Sequence, residues 1–217
     1  MKKSHLVGPM FVVAPVVLFL CLGVLWPAAG LQDATPGEEL NAIMGSQNLS
    51  WMLAILGTFA QFVIWVGYGR LAQFLAESGK PASGAAMRAS VGFLAVAAVS
   101  IVGSGLQLGS IQVASEGLMR HAEMVYLVGN NVGNAVGIIA GIATIFLGIA
   151  MVRQYGDDSL GRIIGILLLI FGSIFFVVTV IPSLGDTILL WIAWIGWTIS
   201  TILVGVWITI NSAKEAG

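Results

Sequence analysis

The sequence predicts an all-α bundle of six membrane-crossing helices, and three observations predict it. Hydrophobic residues make up 58% of the 217 and charged residues only 9%, against roughly a quarter charged in soluble domains. Six apolar stretches approach the roughly 20 residues that a helix needs to cross the hydrocarbon core. None of them alternates apolar with polar residues, as a barrel strand would. The stretches are Leu6 to Trp26, Trp51 to Tyr68, Ala89 to Leu108, Val128 to Val152, Ile163 to Ile181 and Thr187 to Ile210. No segment between them is long enough for a soluble domain, so residues 1–217 read as one transmembrane domain.

The first stretch carries Lys2 and Lys3 before its apolar run and Ala28-Ala29-Gly30 after it, which is also how a secretory signal is built. The run from Val7 to Trp26 is long for a signal, and retention as a span is the expectation. Pro15 would kink this helix without breaking it, because neighbouring helices satisfy the freed carbonyl. Cys21, the single cysteine, reads as packing.

Thr35-Pro36-Gly37-Glu38 follows, with Thr35 as N-cap, Pro36 as first helical residue and Glu38 as capping-box partner. Leu40, Ile43 and Met44 fall on one face of the resulting helix, about 36–46, which reads as amphipathic and lying on the outer surface. Such a helix serves as a lid or docking element, or simply as a connector resting on lipid.

The second span places Thr58, Gln61, Trp65 and Tyr68 along one face and continues through Leu71, Phe74 and Leu75 to a stop at Ser78-Gly79, before Pro81. The third carries Ser100, Ser104 and Gln107 at helical spacing. Between the third and fourth, Glu116 and Arg120 stand at i,i+4, predicting a helical extension of the fourth span. His121 and Glu123 lie in the same segment; a His near carboxylates binds metal or acts as a base, although simple surface pairing explains the cluster as well.

The fourth span has the sharpest pattern. Gly129, Gly133, Gly137 and Gly141 recur every four residues as a small-residue packing stripe. Asn130, Asn131 and Asn134 sit beside it. Polar side chains in hydrocarbon turn to the bundle interior, so Gln61, Ser104, Gln107, Asn130 and Asn134 are expected to converge on a polar pocket in the outer half, or to pin the bundle by hydrogen bonds. Gly161 and Gly165 open the fifth span, and the short Pro182 to Asp186 connector makes the last two spans antiparallel neighbours. In the sixth, Trp191, Trp194 and Trp197 read chiefly as an interfacial belt, with an aromatic-lined cavity as the second reading.

Orientation follows from charge. With both termini cytoplasmic, Lys2, Lys3, Arg70, Lys80, Arg88, Arg153, Arg162 and Lys214 lie inside and only Arg120 lies outside, the bias expected of a multi-pass protein. No ionisable residue falls within any span, which argues against proton-coupled transport, pumping and voltage sensing. The two histidines, His5 and His121, fall on opposite sides, against bis-histidine haem, and no span lysine is present for retinal. No Gly-x-Ser-x-Gly or His-Glu-x-x-His motif appears. The expectation is therefore no enzyme, no cofactor and no metal, and the formal net charge of −1 argues against nucleic acid.

The stretch from His121 through the fourth span, Arg153-Gln154-Tyr155, and Leu160-Gly161-Arg162-Ile163-Ile164-Gly165-Ile166-Leu167-Leu168 resembles the second half of a prokaryotic family of six-span integral membrane proteins without an assigned function. The resemblance implies six spans in a bacterial or archaeal cytoplasmic membrane and carries over no catalytic residue. Two roles are expected. One is an accessory or assembly component whose glycine stripe docks a membrane-protein partner or a second copy within the bilayer. The other is a carrier or channel-like binder of a small neutral solute or lipid.

Overall fold

The computed structural model describes residues 7–31, 35–185 and 187–214. Within them lie seven helices, and we number them α1 to α7: α1 is Val7–Ala28, α2 Pro36–Gly45, α3 Gln47–Glu77, α4 Ser83–Ser115, α5 Met119–Gln154, α6 Ser159–Val180 and α7 Ile188–Lys214. All but α2 are long and apolar enough to cross a membrane. A single helical turn, Pro182–Gly185, joins α6 to α7. The protein is thus a multi-pass, all-helical chain; no strand occurs among the described residues.

The helix ends obey local chemistry. Thr35 caps α2: its hydroxyl accepts from the Glu38 backbone N–H at 3.3 Å and donates to the Glu38 carboxylate at 2.6 Å. The carboxylate therefore meets the capping hydroxyl, a variant of the reciprocal box in which it would reach the cap backbone. Helix α3 ends at Ser78 with Gly79 at φ +66°, the stop expected there. Asp158 caps α6 by accepting from Leu160 N–H at 3.1 Å, and it also accepts from Trp207 Nε1 on α7 at 2.7 Å.

One expected helix boundary is corrected. The fourth span does extend, since α5 starts at Met119, but Glu116 is not part of the extension, because α4 runs on to Ser115 and closes there. Gly117 (φ +82°) bonds back to Ala114 and Leu118 to Val113, the paired return bonds of a Schellman cap. Glu116 caps one helix and Arg120 lies in the first turn of the next.

Each crossing helix packs on the next in the chain, and α7 closes on α1, so the six form a ring in sequence order. Glycines permit the tightest approaches. A Cβ on Gly148 would stand 2.8 Å from the Gly165 carbonyl, and one on Gly165 3.1 Å from the Gly148 carbonyl. A Cβ on Gly205 would stand 2.7 Å from the Gly8 carbonyl, where α7 seals against α1.

Aromatic side chains fill the ring's centre. Tyr68 stacks on Phe93 at 4.9 Å, Trp65 on Phe93 at 5.9 Å, and Trp197 and Phe11 complete the group from α7 and α1. The Tyr68 and Thr201 hydroxyls share a buried hydrogen bond of 2.7 Å across the ring. Trp197 is thus an interior residue, not part of a surface belt.

A second, smaller cluster lies at the end that carries α2. Leu40 and Ile43 of α2 pack with Leu31, Leu53, Ile111, Ala114, Ala122 and Tyr126, all buried. It exists because α4 and α5 outrun α6. The last turn of α6 meets α5 at Gly137, whose Cβ would touch Thr179. From there α5 continues for about 27 Å to Met119 at 1.5 Å per residue, giving α2 a hairpin to lie against.

Candidate functional site

Between these two clusters the bundle opens into a cavity of about 560 Å³, within the range of small-molecule sites. Every crossing helix except α6 contributes two or more residues to it, and α6 contributes Phe175. Ala54, Thr58 and Gln61 come from α3, Ser104, Gln107, Leu108 and Ile111 from α4, Tyr126 and Asn130 from α5, and Leu190, Trp191 and Trp194 from α7. Leu22 and Trp26 of α1 and Glu39 and Ile43 of α2 complete the wall.

Local structure aims several of these groups. In α1, Phe19–Leu25 forms a π-helical stretch shortly after Pro15. Proline lacks the N–H that would hold the regular ladder, and π turns often mark functional sites. Leu22 and Trp26 enter the cavity wall from this widened segment and its continuation. On α2, Glu39 stands four residues before Ile43, so one helix face supplies both a carboxylate and an apolar contact.

The polar groups form one directed chain. Gln107 Nε2 donates to Asn130 Oδ1 at 2.8 Å. The Tyr126 hydroxyl lies beside both the Asn130 side chain and the Glu39 carboxylate, close enough for each to act on it. A carboxylate accepts and a primary amide donates through its nitrogen, so Gln107, Asn130, Tyr126 and Glu39 form a polar line in which each group can donate to the next. Trp26 Nε1 donates to the same carboxylate at 3.4 Å. Four residues from three helices, α1, α4 and α5, thus lie along one polar line that ends at the Glu39 carboxylate. Such chains polarise and strengthen one another.

Two further polar atoms lie one turn deeper, outside the residues that line the cavity. Trp65 Nε1 lies a turn below Gln61 and Ser100 Oγ a turn below Ser104, and both are buried without a hydrogen-bond partner among the described residues. Below them the aromatic group of Trp65, Phe93, Tyr68 and Trp197 closes the ring.

Four of the five residues expected to share a pocket do share this one: Gln61, Ser104, Gln107 and Asn130. Asn134 does not. It lies exposed on α5, since a step of four residues turns the helix about 40° past a full turn and carries its side chain away from Asn130. The glycine stripe divides for the same reason. Gly129 faces Gln107 and Gly103 on α4, whereas Gly137 and Gly141 face Thr179 and Phe176 on α6. Gly133 is exposed, and a Cβ there would meet nothing within 4 Å. Gly161 packs on Tyr155 and Asp158 of its own turn, not on another crossing helix.

The Trp191 and Trp194 rings stand nearly perpendicular, at 85° with centroids 6.3 Å apart, and both line the cavity. This places the aromatic-lined reading ahead of the simple belt for these two residues. His121 is exposed, and the Glu123 carboxylate lies over Gly37 at the start of α2, where a helix N-terminus favours negative charge. Among the described residues no group of three or more His, Cys, Asp or Glu side chains is gathered for a metal ion.

Sequence reading missed Trp26, Glu39 and Tyr126. Two of them had a legible signal: Glu39 shares the apolar face of α2 with Ile43, and Tyr126 stands four residues before Asn130. No family model matches the chain, and neither a curated protein nor a solved structure matches it, so the functional reading rests on this geometry.

Proposed function

We propose that this protein binds a small polar molecule or a lipid headgroup in the cavity beside α2, as a carrier or channel-like binder and not as an enzyme. The observation that carries the reading is the convergence of Gln61, Ser104, Gln107 and Asn130, from three helices, on one cavity of about 560 Å³. Isolated interhelical hydrogen bonds would pin the bundle equally well without leaving space between the helices. Here the amides and hydroxyls surround a volume instead.

The setting we propose is a prokaryotic cytoplasmic membrane with both termini inside. Arg70, Arg88, Arg153 and Arg162 gather at the end opposite α2, which supports that orientation through the positive-inside bias. The cavity then opens toward the outer face, at headgroup depth.

The test is native mass spectrometry of the protein extracted gently into nanodiscs, with and without the paired substitution Gln107→Leu, Asn130→Leu. A defined small molecule or lipid retained by the wild type and lost from the variant is the expected result. A wild type that retains nothing, or a variant that retains the same species, removes the proposal.

The accessory role keeps one observation in its favour. Asn131, Gly133 and Asn134 are exposed together on α5, and polar groups facing lipid usually find partners. Three members of the glycine stripe are already used inside the bundle, which leaves the docking reading second.

A further inference from the structure

The way into the cavity restricts what can occupy it, on the reading that the cavity is a binding site. Toward the α2 end it is roofed. Helix α2 lies across α3, α4 and α5, held by Leu40 and Ile43 in the smaller cluster, and its Glu39 and Ile43 belong to the cavity wall. The opening at headgroup depth is lateral. Residues four apart step about 40° round a helix, so Gly133 points between the directions of Gly129 and Gly137. Gly129 faces α4 and Gly137 faces α6, which turns Gly133 toward the inside of the ring. There a Cβ would meet nothing within 4 Å, and the residue is exposed. Asn130, three residues nearer α2, lines the cavity. Asn134, about 100° round from Gly133, is exposed as well. The uncovered strip of α5 therefore crosses the direction in which α6 lies one turn lower.

The gap exists because the α6–α7 hairpin is short. Thr179 lies against Gly137, and α6 ends at Val180. Gly196 on α7 lies against Phe171 on α6. Ile188 and Thr179 each stand eight residues from that contact toward the hairpin tip, so α7 begins level with the end of α6. The Pro182–Gly185 turn packs back on α6 and α7. From Gly133, α5 continues for about 21 Å to Met119 at 1.5 Å per residue, beyond the reach of the hairpin. The rim of the gap is apolar: Val180, Ile181 and Ile188 are 47%, 43% and 74% exposed. We propose that the occupant is a membrane lipid that enters through this side opening, its polar head among Ser104, Gln107 and Asn130 and its acyl chain led out over Val180, Ile181 and Ile188 into the bilayer. A water-soluble molecule gains nothing from an apolar rim and meets α2 on the aqueous side. A lipid matches both parts, since amides and hydroxyls replace water around the head and the rim covers the start of the chain. At this depth the head also avoids crossing hydrocarbon, where unpaired polar groups are costly.

The experiment uses the full chain in nanodiscs of phosphatidylethanolamine and phosphatidylglycerol, released into mild detergent and read by native mass spectrometry. Wild type is compared with three variants. Gly133→Phe fills the opening. Ile188→Asp charges the rim but lies outside the cavity wall, at a helix N-terminus that favours a carboxylate. Ala135→Phe is the control, on an exposed position about 160° round α5 from Gly137. The expected result is a bound lipid retained by wild type and by Ala135→Phe, and lost from Gly133→Phe and Ile188→Asp at unchanged melting temperature. Should Gly133→Phe melt early, Ile188→Asp decides alone. Undiminished lipid in Ile188→Asp, or equal loss from Ala135→Phe, overturns the side opening. A water-soluble molecule retained in place of lipid, and held equally by Ile188→Asp, overturns the lipid proposal and leaves the binding site standing. A wild type that retains nothing removes the binding site and this proposal with it.

Discussion

The two halves of the bundle solve the packing problem differently. At the basic end, helices meet through glycine and aromatic surfaces: the Gly148 and Gly165 backbones touch, and Tyr68, Phe93, Trp65 and Trp197 fill the middle. At the α2 end, the same helices separate around amides, hydroxyls and a carboxylate. Lipid offers no hydrophobic drive for helices to associate, so close van der Waals contact and interhelical hydrogen bonds must hold them. On the proposed function the contrast is a division of labour, in which one half holds the ring together and the other leaves a cavity for a ligand.

Substitutions put that contrast to the test. The largest effect is expected from Gly148→Leu, which drives a side chain into the Gly165 backbone. Overpacking of this kind costs about 3 kcal/mol. The measurement is recovery of monodisperse protein and its melting temperature in detergent, and a variant that melts like the wild type would show that the crossing is not what holds the ring.

The pocket pair Gln107→Leu, Asn130→Leu is expected to behave in the opposite way. Ligand retention falls by about tenfold or more, as when a polar site loses its donors, while melting moves little because such bonds contribute only about 0.6 kcal/mol on average. A pair that unfolds the protein would move the amides from the receiving half to the holding half.

Tyr68→Phe removes the hydrogen bond to Thr201 but keeps the ring stack. A loss of about 1 kcal/mol is expected, between the average and the largest values for such bonds in membranes, read as a small fall in melting temperature. Ligand retention should not change, since Tyr68 lies below the cavity.

The smallest effect is expected at Gly133. Leucine there meets open space, and helix propensity favours it over glycine by up to about 1 kcal/mol. Stability should hold or rise slightly, whereas Gly137→Leu, one turn along and against Thr179, should destabilise. Equal behaviour of the two would contradict the way the stripe divides.

Most of the fold was legible in the sequence because lipid imposes one rule, that an apolar run of sufficient length becomes a helix. All six runs became crossing helices, and the Ser78-Gly79 stop and the Thr35 cap appeared where their residues predicted. The helix ends at residues 108–128 were less legible. Hydropathy marks where hydrocarbon ends, not where a helix ends, and α4 and α5 continue well past it to the return bonds at Gly117. The site was half legible for a similar reason. Gln61, Ser104, Gln107 and Asn130 betray themselves as polar residues in apolar runs. Glu39 and Tyr126 lie outside the deepest part of any run, where polar residues are unremarkable until the folding of α2 against α4 and α5 brings them over the cavity. Asn134 looked equivalent to Asn130 in spacing, and only the drift of a 3.6-residue helix against a four-residue repeat parts them.

The ring order has a consequence for how the protein is made. Each helix leaving the ribosome finds its neighbour already in the bilayer, except the first, whose Gly8 and Phe11 face must wait for α7. The α1–α7 junction is therefore the last seam of the ring to close, and it joins the first and the last made of these six helices. Nascent chains arrested before residue 188 should leave that face open to the insertion machinery. Cysteine pairs placed across Gly8 and Gly205 should cross-link only in chains released after α7 has been made. Cross-linking that is absent from the released chain as well would mean that the ring stays open in the membrane.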